Sequence, residues 1–138
     1  MPKIRHIGIT TVDPAATAEF FVKAFGLTEV QRSPSGEGII LSDGYINVTL
    51  LKFKVDRYGG GHPGLHHFGF HVEDLEETEA KMAPLGAVEL KEWNQTYGNQ
   101  EGTPDHWVGE RKWMTPEGIT IDVNPTGWKV RPDGERGE

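Results

Sequence analysis

The stretch His6-Ile7-Gly8-Ile9-Thr10-Thr11-Val12-Asp13 returns 61 residues later as His67-Phe68-Gly69-Phe70-His71-Val72-Glu73-Asp74. The two copies align a histidine, a glycine and an aspartate. Each aspartate precedes a helical pattern, and each helix runs to a glycine, Gly26 or Gly86. An internal repeat of this kind is read before anything else, because it sets the unit of the fold. In each copy the side chains separate by parity, since successive strand residues face opposite sides. His6, Gly8 and Thr10 share one face and Ile7 and Ile9 the other. His67, Gly69 and His71 lie opposite Phe68, Phe70 and Val72. Both histidines that open the repeat therefore sit on the less apolar face.

Outward from these strands the pattern repeats. Asp13 is an N-cap with Pro14 at the first helical position, both favoured there. Ala18, Phe21, Val22 and Phe25 follow at helical spacing as an apolar stripe. Asp74 caps the second helix with Glu77 three residues on, and Pro84 ends it early. Three more strands follow in the first copy, at 28–32, 38–41 and 45–53. The second copy has them at 87–92, 111–114 and 119–124, with a turn at Thr115-Pro116-Glu117-Gly118. The chain reads as α+β: two tandem βαβββ modules whose sheets form a cavity lined by metal ligands. The expected organisation is a single domain over 1–138, with module one about 3–53, a linker about 54–64, module two about 65–125 and a flexible tail over 126–138. The polar stretch 93–110 reads as a long loop of the lid or binding kind.

Composition bounds the chemistry. The 138 residues suit one domain that buries a sizeable core without a staple. Cysteine is absent, which excludes disulfides, thiol nucleophiles and thiolate metal sites. A net charge of −7 with no basic cluster argues against nucleic acid. No apolar run approaches the roughly 20 residues that span a bilayer, and no secretory signal is evident, so the expectation is a soluble, cytoplasmic protein.

The last strand of each module carries the rest of the site. Asp122 alternates against Ile121 and Val123, and Asn47 against Ile46 and Val48. With the apolar faces packed on helices, the opposite face collects His6, Asn47, His67 and Asp122. Two neutral imidazoles and a carboxylate suit one divalent ion per chain, Fe(II), Mn(II), Zn(II) or Ni(II), with coordination positions left open. Parity turns His66 with Phe68 toward the helix face, and His62 falls in the linker. His71 and Asn47 are candidates for contacting substrate, and His106 for carrying a proton.

At these residues the sequence resembles the vicinal oxygen chelate superfamily, the glyoxalase, bleomycin-resistance and extradiol-dioxygenase group. The marks are His6-Ile7-Gly8-Ile9, Phe25-Gly26-Leu27, His67-Phe68-Gly69-Phe70, and the segment Thr115-Pro116-Glu117-Gly118-Ile119-Thr120-Ile121-Asp122. By position the resemblance implies His6, His67 and Asp122 as ligands. Asn47 stands where glyoxalase I enzymes carry a fourth, glutamate ligand. An amide cannot take a proton at neutral pH, which argues against that reaction. Lys112 stands where the extradiol signature has a tyrosine, and Gly8 where fosfomycin transferases carry a threonine. Asp122 is one methylene shorter than the family's usual glutamate. The resemblance implies a metal-dependent enzyme on a small molecule with vicinal oxygens, extradiol-type dioxygenase placed ahead of an isomerase or lyase of glyoxalase or epimerase type. A metal-free bleomycin-resistance-like binding protein is the third reading. A homodimer is expected, because pairing between chains covers exposed strand edges.

Overall fold

The computed structural model describes residues 1–54, 61–97 and 109–136. One eight-stranded sheet and three α-helices make a mixed α+β fold. The chain runs through β1 (Lys3–Thr11), α1 (Pro14–Phe25), β2 (Thr28–Arg32), β3 (Gly38–Ser42) and β4 (Asn47–Lys52). It continues through β5 (Gly64–His71), α2 (Leu75–Met82), β6 (Val88–Glu89), α3 (Lys91–Tyr97), β7 (Arg111–Met114) and β8 (Thr120–Asn124). Across the sheet the order is β2-β3-β4-β1-β5-β8-β7-β6. The first four strands in space all come from residues 3–52 and the last four from 64–124. The two runs are joined where β1 pairs antiparallel with β5.

Local chemistry sets the helices. The Asp13 carboxylate accepts the Ala16 amide at 3.1 Å, and Gly26 closes α1 at φ 73°, a left-handed value that glycine adopts without a Cβ penalty. Asp74 accepts the Glu77 amide at 2.9 Å, and α2 stops at Met82 before a 3-10 turn over Ala83–Leu85 that contains Pro84. Under α1, Ala18 packs on Ile39, Leu41 and Leu50. Under α2, Leu75 and Met82 pack on Val72, Trp113, Ile121 and Val123. Burying these apolar faces on the helices leaves the other face of the sheet for polar side chains.

Two expectations are corrected. The apolar stripe of α1 is shorter than its spacing implies: Phe25, in the last turn, stays 69 % exposed, edge-on to Phe20 rather than in the core. The strand expected over 87–92 keeps two residues, and α3 starts at Lys91, within that expected strand, and runs on into the expected loop. There the Asn94 side chain accepts the Lys112 amide at 2.8 Å and donates to the Lys112 carbonyl at 3.1 Å. The Asn94 oxygen thus takes the place of the Leu90 carbonyl as acceptor for the Lys112 amide, while the Leu90 amide still donates to the Lys112 carbonyl at 3.1 Å. The segment after β8, where a flexible tail was expected, is packed through Arg136 in this structure. Trp128 and Val130 are buried, and Lys129 pairs with Arg136 in a bridge.

Candidate metal centre

One row of paired residues crosses five strands. Asn47 on β4 lies beside His6 on β1, His6 beside Gly69 on β5, Gly69 beside Asp122 on β8, and Asp122 beside Lys112 on β7. His67 lies one step away, opposite Gly8. The repeated His-x-Gly therefore has a physical reason: each histidine is set across from the partner strand's glycine. A Cβ on Gly8 would lie 2.1 Å from the His67 ring, and one on Gly69 would lie 3.2 Å from the His6 Cβ and 2.6 Å from Trp128. The pairing also slips once before each histidine, between Ile4 and His6 and between Gly8 and Ile9, leaving Arg5 on β1 and His66 on β5 as extra residues. Bulges of this kind re-aim neighbouring side chains. That is why His66 departs from its expected orientation: its Nδ1 lies 2.6 Å from His67 Nδ1.

His6, His67 and Asp122 converge, all three buried, with one ligand atom from each within 4.8 Å of the others. His6 Nε2 is 3.0 Å from His67 Nε2, and Asp122 Oδ2 lies 3.5 and 3.1 Å from these two nitrogens. The tautomer of His6 follows from its neighbours. Asn47 donates its amide to the Lys129 carbonyl at 2.8 Å, so its oxygen faces Thr49, which donates to it at 2.7 Å, and His6 Nδ1, also at 2.7 Å. His6 must donate from Nδ1, and its Nε2 presents a lone pair to the site. Burial, helped by His67, lowers the His6 pKa to about 3, so the ring is neutral. Burial lowers His67 as well. Asp122 is held well below the usual carboxylate range: burial opposes its ionisation, but His67 and Lys112 outweigh it.

The residues fit a divalent cation. Asp122 Oδ2 is buried without a hydrogen-bond partner, facing two imidazole nitrogens of which at least one is a bare lone pair. A group left so in a buried site calls for an ion or a proton. The Asp122 Oδ1 is already taken by Lys112 Nζ at 2.5 Å, and that ammonium lies 4.7 Å from the Trp93 ring centre. The surrounding cavity holds about 30 Å³ of space for water centres, room for an ion and roughly one or two waters. Its walls include Ile40, Leu51, Trp93 and Trp128, with Thr49, Glu110 and Lys129 among the polar lining.

Of the other candidates, Asn47 lines the cavity but is committed to His6. His71 is not brought to the cavity: its Nε2 lies 3.1 Å from the Pro125 carbonyl at the other end of β5. His62 is exposed, and His106 lies outside the described residues. Sequence reading missed Glu110 and Trp128. Glu110 is buried 3.9 Å from His6 and accepts Trp128 Nε1 at 2.9 Å. Burial, and then the Asp122 charge, push its carboxyl well above the usual range. Nothing in the polar run before β7 marked it. Lys112, which pairs beside Asp122, was marked in the sequence only as the residue standing where the resemblance has a tyrosine.

The sequence profile described as Glyoxalase/Bleomycin resistance protein/Dioxygenase superfamily matches residues 3–123. The chain belongs to that superfamily. Solved structures agree with this fold. A methylmalonyl-CoA epimerase bound to methylmalonyl-CoA and ammonium has a TM-score of 0.63 at 21% identity, over 89% of this chain and 93% of that one. The epimerase from Streptomyces coelicolor, bound to 2-nitronate-propionyl-CoA, gives 0.62 at 21% identity, over 88% and 92%. The 2,3-dioxygenase LapB from Pseudomonas sp. KL28 gives 0.65 at 17% identity, over 88% of this chain but 40% of that one. No curated protein matches the sequence. These proteins, named for different reactions, share one fold, so the reaction here has to be argued from the site.

Proposed function

We propose that this chain is a divalent-metal-dependent enzyme acting on a small molecule with vicinal oxygens, through proton transfer of the isomerase, epimerase or lyase type. The observation that carries the reading is the convergence of His6 Nε2, His67 Nε2 and an otherwise unpartnered Asp122 Oδ2. A divalent ion held there supplies Lewis acidity to substrate oxygens. The chain supplies the rest. Lys112 holds the Asp122 carboxylate through Oδ1, and Asn47 holds the His6 ring. Trp93, Trp128, Ile40 and Leu51 exclude water from one side of the cavity. Glu110, whose carboxyl burial pushes up, lies 3.9 Å from His6 Nε2 at the same centre, where it is placed to exchange a proton with substrate.

Glu110 moves proton transfer ahead of the oxygenase that the resemblance placed first. Oxygen-dependent ring cleavage of the extradiol type stays as the second reading, favoured by the two-histidine, one-carboxylate set and by His106 as its proton carrier. The arrangement is proposed as a homodimer of two-module chains, working in the cytoplasm. Among the described residues no helix is long and apolar enough to cross a membrane. The deciding experiment reconstitutes the protein anaerobically with Co(II) or Fe(II). It then follows solvent deuterium exchange at the α-carbon of methylmalonyl-CoA and of hydroxyketones, alongside oxygen uptake on catechols. Exchange without oxygen supports the first reading, and oxygen uptake the second. Tight binding of these compounds by metal-free protein without turnover would replace both with a sequestering role.

A further inference from the structure

We propose that residues 126–136 are a working part of the metal centre: they form a strap that fixes the tautomer and ring plane of His6. The inference rests on the reading of His6 as a ligand, and adds to it the segment that makes the ring fit for the purpose.

The strap leaves β8 and crosses back to β4, where it is joined to the sheet by one backbone group. The Lys129 carbonyl accepts the Asn47 amide at 2.8 Å across 82 residues of sequence. Without that acceptor the Asn47 side chain could flip, because its two ends differ only in hydrogen-bonding sense. With it, the amide oxygen is turned to His6, the imidazole proton is drawn to Nδ1, and Nε2 is left bare. A histidine ligand is oriented in this way by the partner of its second nitrogen, and such partners are worth about 10–100-fold in metal affinity. Here the orientation is set from the strap.

The same segment fixes the ring plane. Trp128 stacks on His6 with centroids 4.8 Å apart and planes 6° from parallel, and its indole N–H is held by Glu110. Gly69 makes the space for it, since a Cβ there would lie 2.6 Å from the indole. The strap is tied to β8 where Asn124 donates its side-chain amide to the Gly127 carbonyl at 3.2 Å, and away from the site it closes on itself. Arg136 donates to the Gly127 carbonyl at 2.6 Å, Val130 donates its amide to Glu135 at 2.8 Å, and the Val130 side chain is buried. Trp128 and the Lys129 carbonyl thus act on His6 as positioning groups, neither of them reaching the metal ligand atoms.

The test uses the full chain and two readouts. The first is the His6 tautomer in metal-free protein, read from long-range ¹H–¹⁵N correlations of the imidazole. The second is Zn(II) affinity by competition with a chromophoric chelator. In the wild type His6 carries its proton on Nδ1. Val130→Asp, which releases the strap from a distance, and Asn47→Leu, which breaks the relay, both give mixed tautomers and lose about 10–100-fold in Zn(II) affinity. Trp128→Ala, which removes the stacked ring, loses more Zn(II) affinity than Trp128→Phe, which keeps a ring but not the indole N–H that holds Glu110. A wild-type His6 protonated on Nε2 overturns the proposal. So does a folded Val130→Asp protein with unchanged tautomer and affinity. Should Val130→Asp not fold, Asn47→Leu and the wild-type spectrum decide. A wild type that takes up no Zn(II), yet whose His6 tautomer shifts in the variants, supports the strap and overturns the metal reading.

Discussion

Replacing Gly8 by alanine puts the paired glycine–histidine geometry to a direct trial. The added Cβ would sit 2.1 Å from His67 Cε1, 2.4 Å from Nε2 and 2.6 Å from Nδ1. Ordinary van der Waals contact starts near 3.4 Å, so the imidazole must retreat by about 1.3 Å at its closest atom. The ring has no free direction in which to go. His66 occupies one side at 2.6 Å, and Asp122 Oδ2 and His6 Nε2 lie 3.1 and 3.0 Å from its Nε2. A shift of that size takes Nε2 out of ligand range, since such sites tolerate only about 0.5 Å of error. Metal affinity should fall at least as far as the loss of an outer-sphere partner, about 100-fold or more. The overpacking itself costs about 1–3 kcal/mol of stability. The control is Gly26→Ala: Gly26 has φ 73° and no heavy atom within 4 Å of the added carbon, so it is strained but remote. Both variants would be measured by urea denaturation and by Zn(II) titration against a chelator. Equal stability loss in the two, with Zn(II) affinity intact in Gly8→Ala, would refute the reasoning.

Four further outcomes are expected. His67→Ala abolishes stoichiometric metal, measured by elemental analysis, while His62→Ala leaves it unchanged; undiminished metal in the first removes His67 from the site. Lys112→Met strips Asp122 of its buried cation, so the metal-free protein loses about 3–5 kcal/mol while Zn(II) binds more tightly, and weaker Zn(II) binding would contradict this. In metal-free protein His6 stays neutral down to about pH 3 and His66 to about 4, whereas both titrate near 6.5 when unfolded. The unfolded chain then binds more protons below 6.5, so stability falls as pH drops toward 4, by roughly 1–3 kcal/mol per unit once the opposing contribution of the raised Glu110 is allowed for; a flat urea midpoint over that range is the contrary result. Light scattering should give a dimer mass, consistent with Phe25 and Leu65 lying 69 % and 83 % exposed in the single chain, and a stable monomer at micromolar concentration counts against it.

By itself the sequence determined the order of the eight strands and the first two helices, and three of the residues that meet. The reason is periodicity: strand parity and helix caps are local, so the alternation of His6, Gly8 and Thr10, or of Asp122 against Ile121 and Val123, survives without any knowledge of neighbours. The repeat then placed two such strands in equivalent roles, and the polar face that gathers His6, His67 and Asp122 followed. What parity could not carry was any position where the ladder slips. His66 is the extra residue of a bulge, and a bulge depends on which strand lies alongside, so its contact with His67 was invisible from β5 alone. The loss of most of β6 to α3 has the same origin, because Asn94 competes with a strand only when β7 is beside it. Glu110 and Trp128 lay beyond reach for a further reason. Each owes its place to burial against residues distant in sequence, and nothing in a polar loop or a glycine-rich tail distinguishes a side chain that will be enclosed from one that will stay in water. Tertiary structure alone decided that the segment after Asn124 folds back over His6. The orientation of that histidine is therefore set by a carbonyl 123 positions further along the chain, at Lys129.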